Sequence, residues 1–373
     1  MIDLGQLDGE TRDLLGEHGF DTIPFFELAD RVRRLDADPD RNRLRDPVDL
    51  PPDEALTRYP QPGTGDWKRF ERRGQEAIEA GEVGAVVLNG GMATRFGGVV
   101  KGVVRAVAGR SFLDLKISQV SRAGGGRVPV LLMNSFATER ETADHLAGLS
   151  FDCEVRSFCQ LVSLRLTPDG EIFFDDSGRP SLHAPGHGDL PFALRRSGEL
   201  ERFVERGGRI LTVSNVDNLG ASLDPVVIGM HLESGRGMSV ELVETRPGDV
   251  GGFPALVDGR LTIVEAFRLP RDFDVDRIPV FNTNSFVFCA ESLESAPELD
   301  WFTVTKKVEG RTAVQFERLL GQLTDSVDAA WLLVPREGEA GRFEPIKTPD
   351  DLIERSADLE RAMRARGVLD GDR

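Results

Sequence analysis

The sequence predicts an α/β fold: a mixed, mostly parallel sheet with helices on both faces and antiparallel hairpin insertions. Three observations lead there. From residue 84 to residue 213, short apolar runs of strand length alternate with amphipathic stretches of helix length, the spacing of parallel strands joined by crossover helices. Two turn signals, Thr167-Pro168-Asp169-Gly170 and Asp258-Gly259, each lie between strand-like runs. The apolar run Val86-Val87-Leu88 ends in a glycine-rich loop, and in such sheets ligands bind beyond the C-terminal ends of the strands.

The elements follow in chain order. Phe25, Phe26, Leu28, Ala29, Val32 and Leu35 recur at helical spacing before an Asp/Arg/Pro-rich stretch that runs through Pro60-Gln61-Pro62-Gly63, so residues 1–65 read as a helical appendage. A helix begins near Asp66, a suitable N-cap, carries Trp67, Phe70, Ala77 and Ile78 inward and stops near Gly81. The pattern then predicts a buried strand at 84–88, a helix at 112–120, a strand at 128–133, a helix at 138–149 and a strand at 153–158. A helix at 198–206 and a strand at 209–213 complete the alternation. The hairpins pair 162–166 with 171–174 and 253–257 with 261–267. Residues 66–335 form the main body, and 336–373 a short C-terminal segment with a charged helix around 350–366.

Composition narrows the function. With 373 residues and 40% hydrophobic content, the chain can bury a core large enough for about two domains, or one with extensions. Its net charge of −17 and lack of a Lys/Arg block exclude the basic face that a nucleic acid requires. No apolar run approaches the roughly 20 residues that span a bilayer, and Met1-Ile2-Asp3-Leu4-Gly5-Gln6 is not a leader of basic then apolar residues. The expectation is a soluble, cytoplasmic protein with no membrane partner. Cys153, Cys159 and Cys289 are odd in number and lack C-x-x-C spacing, which reads as small core residues. His18, His145, His183, His187 and His231 show no metal-ligand spacing, so no dedicated transition-metal site is expected. Lysine is rare: Lys68, Lys101, Lys116, Lys306, Lys307 and Lys347. In so acidic a chain, an anionic substrate needs local cations, which gives each of them weight.

The loop from Asn89 through Gly90-Gly91-Met92-Ala93-Thr94-Arg95-Phe96-Gly97-Gly98, with Lys101-Gly102 behind it, can present backbone N–H groups and positive side chains to a polyphosphate. It lacks both the Gly-Lys-Ser/Thr ending of a P-loop and the G-x-G-x-x-G spacing of a dinucleotide fold, so neither an ATPase nor a dehydrogenase is indicated. By itself, a tight strand-to-helix turn accounts for it as readily. Other polar groups border predicted strands. These are Asn134-Ser135-Phe136, Gln160, Ser214-Asn215-Val216-Asp217-Asn218 and Asn282-Thr283-Asn284. Any one could be an Asx turn or a helix cap, but a parallel sheet would gather them at one edge. Asp217, a lone carboxylate flanked by amides, suits Mg²⁺ held by one carboxylate, waters and substrate phosphates. In Ala184-Pro185-Gly186-His187-Gly188-Asp189 a histidine stands between glycines, where backbone can approach a ligand and the imidazole can donate. A solvated surface turn is the alternative.

In their order, these segments resemble the UTP–glucose-1-phosphate uridylyltransferases, also called UDP-glucose pyrophosphorylases. The matching pieces are Leu88-Asn89-Gly90-Gly91, Leu132-Met133-Asn134-Ser135-Phe136, Gln160, Pro185-Gly186-His187-Gly188-Asp189, Ser214-Asn215-Val216-Asp217-Asn218-Leu219-Gly220, Phe281-Asn282-Thr283-Asn284 and Pro345-Ile346-Lys347-Thr348. They span roughly residues 84–352. The resemblance implies a Rossmann-like nucleotidyltransferase fold, with 66–335 as its catalytic domain. It also implies a reaction in which UTP and glucose 1-phosphate give UDP-glucose and pyrophosphate, with Mg²⁺ as cofactor.

Residue by residue, the resemblance implies that Leu88, Asn89, Gly90 and Gly91 hold the nucleotide and that Gln160 and Gly186 read the uracil edge. His187 would contact the sugar phosphate, Asn215 both substrates, Asp217 the metal and Lys347 the phosphates, with Asn282 and Asn284 in the substrate-binding set. Lys101, Arg95 and Lys347 would be the catalytic cations. The chain also departs from the family pattern. Ala93 stands where a glycine is usual, and the Lys-Gly-Pro-Lys segment is reduced to Val99-Val100-Lys101-Gly102, so Lys101 matches only with a one-residue shift. Arg95 lies where related sugar nucleotidyltransferases carry a phosphate-binding arginine. After Lys347 only one charged helix follows, so the C-terminal β-helix of many members is not expected and the oligomeric state stays open. Two alternatives remain: a pyrophosphorylase for galactose or N-acetylhexosamine 1-phosphate, or a catalytically silent protein that binds UDP-sugars.

Overall fold

Unbroken apolar runs make the centre of the molecule. In the computed structural model, which describes residues 2–34, 38–93, 96–249 and 251–369, eight strands form the main sheet. In chain order they are β1 (Leu56–Arg58), β2 (Val83–Leu88), β3 (Val130–Asn134), β4 (Val155–Cys159), β5 (Ile210–Asn215), β6 (Met238–Glu244), β7 (Val280–Cys289) and β8 (Ala329–Leu333). Their spatial order is β1-β8-β6-β7-β5-β2-β3-β4. Only β7 is antiparallel, to β6 and β5; the remaining neighbours pair in parallel. Every residue of β2 and β3 is buried, as expected of strands covered on both faces.

The helices are α1 (Gly9–Glu17), α2 (Thr22–Arg33), α3 (Gly65–Glu79), α4 (Phe112–Ala123), α5 (Glu139–Leu146), α6 (Leu190–Ser197), α7 (Glu199–Glu205), α8 (Pro225–Ser234), α9 (Ala290–Glu294) and α10 (Pro349–Ala365). Alternation along β2 divides the core. Val83, Ala85 and Val87 face the side covered by α3, α4, α8 and α10, while Val86 and Leu88 face α6, α7 and α9. Helices therefore cover both faces, as the alternation predicts. The helices α3 and α8 cross backbone to backbone. A Cβ at Gly74 would lie 1.9 Å from the Pro225 carbonyl oxygen, and one at Gly229 would lie 2.0 Å from that of Phe70.

Several boundaries differ from the expected ones. The α3 N-cap is Thr64, whose hydroxyl accepts from the Trp67 N–H, and not Asp66. The helix expected to reach residue 149 stops at Leu146. The Thr167–Gly170 turn forms, but it closes only an isolated Leu166–Ile172 bridge; the regular ladder joins Ser163–Leu164 to Leu182–His183. The Asp258-Gly259 hairpin is as expected, joining Gly252–Val257 to Arg260–Glu265 with both turn residues at positive φ.

The appendage helices bury Leu15, Phe25, Leu28, Ala29 and Val32 against Val162, Leu164, Leu166, Ile172, Val314 and Phe316. Leu56–Arg58, within the stretch read as appendage, supplies the edge strand β1. At the other terminus α10 sets Leu359 and Met363 into the core beside α4. Among the described residues, no helix is long and apolar enough to cross a membrane.

Candidate active site

The parallel strands end at one rim. In register, Asn215 at the end of β5 lies opposite Leu88 at the end of β2, so the glycine loop and the Asp217 turn leave the sheet side by side. Between them lies a cleft of about 360 Å³, lined by Leu88, Gly90, Gly91, Gln160, Asn215 and Asp217 together with Lys101, Gly186, His187 and Glu317. Nine of the residues singled out in the sequence thus meet here.

On the nucleotide side the fit is close. A Cβ on Gly90 would fall 1.9 Å from Gln160 Nε2, so any larger residue here would push the Gln160 amide aside. Gln160 is 5% exposed, and its Oε1 has no hydrogen-bond partner. A buried acceptor left unsatisfied beside a cleft costs free energy until a ligand pairs with it. The Gly90 carbonyl accepts from Ser135 Oγ at 2.8 Å, which braces the loop from below.

On the opposite side, the Gly186–Asp189 loop is fastened to the chain at Arg318. Gly188 N–H donates to the Arg318 carbonyl at 2.9 Å, and Arg318 N–H donates to the Pro185 carbonyl at 2.8 Å. Asp189 is fully buried and pairs with the Arg318 guanidinium, which also stacks on Phe192 and Trp301. Burial raises the Asp189 pKa, and Arg318 counteracts it. Leu320 N–H donates to His187 Nδ1 at 3.1 Å. A backbone N–H can only donate, so a neutral His187 carries its proton on Nε2. Burial pushes its pKa down to about 4, which keeps the ring neutral at ordinary pH.

Lys101 and Asp217 stand together. Lys101 Nζ is 3.7 Å from Asp217 Oδ2, donates to the Ile346 carbonyl at 2.5 Å and lies over the Phe96 ring. Burial raises the Asp217 pKa, and Lys101 draws it back. Beneath the Asp217 turn, the fully buried Lys116 donates to the Asn218 and Ala221 carbonyls at 2.7 and 2.5 Å. Burial and the nearby Arg342 lower its pKa to about 7. Among the described residues the lining has two carboxylates, Asp217 and Glu317, and one lysine. An added cation would ease the entry of two polyanions. One hard carboxylate, with phosphate oxygens completing the shell, is the donor set Mg²⁺ takes, so Asp217 fits the role expected of it.

Other residues of the expected set do not line the cleft or fall outside the described residues. Asn89 is 1% exposed and turned away from the cleft, donating to Asn134 Oδ1 and Thr142 Oγ1 at 2.8 and 2.9 Å. It ties the loop to α5. Asn282 and Asn284 lie within β7 and do not line the cleft. Asn282 Oδ1 accepts from the Asn284 N–H, and Asn284 Nδ2 donates to Asn215 Oδ1 at 2.9 Å. These asparagines orient Asn215, which is left to offer a ligand its amide N–H donors. Lys347 is exposed and is not among the lining residues; its N–H donates to Asp351 Oδ2 at the start of α10, and its charge lowers the pKa of Asp249 and Asp351. Arg95 lies outside the described residues. The sequence reading missed Glu317 and Arg318 and weighed Lys116 only as one of six scarce lysines, since nothing in a single strand or helix pattern marks which of its polar residues will face a distant loop.

The sequence profile of the UTP–glucose-1-phosphate uridylyltransferase family matches residues 41–369. The enzyme of that name from Saccharomyces cerevisiae is 32% identical over 310 residues, which cover 77% of this chain and 61% of the yeast protein. The Astragalus penduliflorus protein is 29% identical over 73% of this chain and 61% of its own length. The chain thus spans about three fifths of these relatives. Two solved structures from Trypanosoma brucei share the fold. A UDP-glucose phosphorylase has a TM-score of 0.72 at 24% identity, covering 91% of this chain and 76% of its own. A UDP-N-acetylglucosamine pyrophosphorylase has a TM-score of 0.71 at 19% identity, covering 92% and 81%. The order of motifs along the sequence, their meeting at one rim and a profile match over most of the length have a common source, and the chain belongs to the UTP–glucose-1-phosphate uridylyltransferase family.

Proposed function

We propose that the cleft joins UTP to a hexose 1-phosphate, glucose 1-phosphate first, releasing pyrophosphate. The observation that carries this reading is the buried Gln160 amide, its Nε2 beside Gly90 and its Oε1 without a partner, on one side of a cleft that has Lys101, Asp217 and His187 on the other. A uracil edge offers an N–H donor next to carbonyl acceptors, which complements a buried amide. His187 Nε2–H donates to the sugar phosphate, and the Asn215 amide N–H groups hold the phosphates from the β5 side. Lys101 sets a fixed positive charge where the α-phosphate must lie. A sugar-phosphate oxygen then attacks the α-phosphorus in line, and the bond to the pyrophosphate oxygen breaks. Catalysis of this step is alignment and charge stabilisation. Mg²⁺, when held at Asp217, would neutralise charge on the phosphate oxygens.

The test is pyrophosphate release by purified protein with Mg²⁺, UTP or TTP, and a panel of hexose 1-phosphates. Release is expected only when UTP and a hexose 1-phosphate are both present. Asp217→Asn and Lys101→Met should each lower kcat/KM by roughly 10²–10³-fold, Asp217→Asn with little change in Tm. A preference for galactose or N-acetylhexosamine 1-phosphate would reassign the sugar. UDP-glucose binding with no turnover across the panel would overturn the enzyme reading in favour of a silent UDP-sugar-binding protein.

A further inference from the structure

Outside the cleft, the fold gathers three metal-ligating side chains that the sequence keeps far apart. His18 caps the C-terminus of α1, Glu139 opens α5 and Cys159 ends β4. One ligand atom from each lies within 4.8 Å of the other two. His18 is 6% exposed and Cys159 is 7% exposed, while Glu139 reaches the surface. The closest ion-pair distance, His18 Nε2 to Glu139 Oε2, is 3.9 Å, too long for a direct hydrogen bond. Phe136 packs against the imidazole, with ring centroids 6.5 Å apart.

We propose that His18, Glu139 and Cys159 form a Zn²⁺ site. One imidazole nitrogen, one thiolate and one carboxylate are the ligands Zn²⁺ takes, and a water would fill the fourth tetrahedral position. A thiolate in the set selects against Mg²⁺ and Ca²⁺, which take hard oxygen ligands. Zinc bonds of about 2.0–2.3 Å place tetrahedral ligand atoms roughly 3.3–3.8 Å apart, so a modest closure of the three side chains suffices. Burial and the neighbouring Glu139 hold the Cys159 thiol well above its usual pKa, so the metal-free thiol keeps its proton. Zinc binding replaces that S–H bond with an S–Zn bond and releases the proton to solvent.

The site's position gives it a task. Arg196 already bridges α1 to β4, donating to the Glu17 carbonyl at 3.1 Å and to the Cys159 carbonyl at 3.2 Å. Zinc would lock the same junction, fixing the N-terminal helices against the strand end that carries Gln160. Glu139 directly follows the Ser135–Thr138 turn that braces Gly90, so the metal would stiffen the nucleotide side of the cleft from outside.

The experiment uses the tag-free full chain, stripped with chelator and dialysed without Mg²⁺. Titration with ZnCl₂, read by elemental analysis after desalting, should give one zinc per chain and a raised Tm. Co²⁺ in its place should show thiolate-to-metal charge-transfer absorption and tetrahedral d–d bands. Cys159→Ser and His18→Ala should weaken binding at least about 100-fold, while Cys289→Ser and Asp217→Asn keep it. Absence of bound zinc in the wild type, a Co²⁺ spectrum without thiolate absorption, or zinc retained by Cys159→Ser would each overturn the assignment. None of these readouts depends on turnover in the cleft.

Discussion

At the scale of single residues, glycines decide how the cleft is built, and they do so in two ways. Gly186 and Gly188 suggest from sequence a backbone laid open to a ligand. In the structure their missing side chains make room for protein: a Cβ at Gly188 would lie 2.4 Å from the Arg318 carbonyl carbon, and one at Gly186 would lie 2.7 Å from its oxygen. Gly90 is different, since its neighbour is the ligand-facing Gln160 amide. Gly90→Ala should therefore displace Gln160 by about 1 Å, lowering kcat/KM for UTP by roughly 100-fold while Tm falls only a few degrees; equal losses of both would mean that the contact is structural. His187 makes a second prediction. Its pKa is lowered to about 4 by burial, so the proton on Nε2 persists as pH falls from 8 to 5.5. Over that range kcat/KM should show no inflection from His187, and its imidazole NMR signals should stay those of the neutral ring. Sequence alone identifies both residues as part of the site. It does not show what each one touches, because side chains from β4 and from the chain after 311–317 arrive from distant positions.

At the scale of elements, β7 explains why the sequence marks Asn282 and Asn284 without showing what they touch. A period-2 pattern carries no direction, so the sequence could not show that β7 runs against its neighbours and begins at the rim where β5 and β2 end. The pairing of β6 with β7 slips between Val240 and Leu242, and Asn284 there adopts φ +56°, a left-handed conformation that asparagine tolerates better than most residues. The irregularity turns its amide toward Asn215. The alternating stretch from 84 to 213 was legible because its helices are amphipathic. In contrast, α8 is buried without a break over 226–231, so it has no polar stripe to show helical periodicity. The Gly186–Asp189 loop rests on the buried Arg318–Asp189 pair. Arg318→Met should destabilise the fold by about 3–5 kcal/mol, because it strands a carboxylate away from water. Urea denaturation measures this, and adding Asp189→Asn should restore part of the loss. Full stability in Arg318→Met alone would show that the loop does not depend on the pair.

At the scale of the whole molecule, burial of neutral imidazoles links stability to pH. Burial lowers the pKa values of His183, His187 and His231 to about 3, 4 and 4, against roughly 6.5 in the unfolded chain. Between those limits the unfolded state binds protons that the folded state refuses. The stability these groups support is therefore complete above about pH 6.5 and is lost as pH falls toward 4. Glu265 acts in the opposite sense. Its pKa is raised by burial to about 7, so the folded state takes up a proton between pH 7 and the usual carboxylate range, offsetting one histidine. Asp189 and Asp217, also raised by burial, act in the same sense as Glu265. Three imidazoles against the one carboxylate of Glu265 give the unfolded state the greater proton uptake between pH 7 and pH 5. Lys116, lowered to about 7, carries the same tendency upward, since the unfolded lysine stays charged to about pH 10.4 and stability rises with pH across that interval. Urea midpoints should accordingly fall from pH 7 to pH 5, whereas above pH 7 the thiols of Cys153, Cys159 and Cys289, held protonated by burial, oppose the gain from Lys116. Replacing the 1% exposed His231 by Gln should reduce the acid-side slope by about one proton's worth, roughly 1.4 kcal/mol per pH unit. A slope unchanged in His231→Gln would show that this imidazole is charged inside the fold and that another group sets the acid limit.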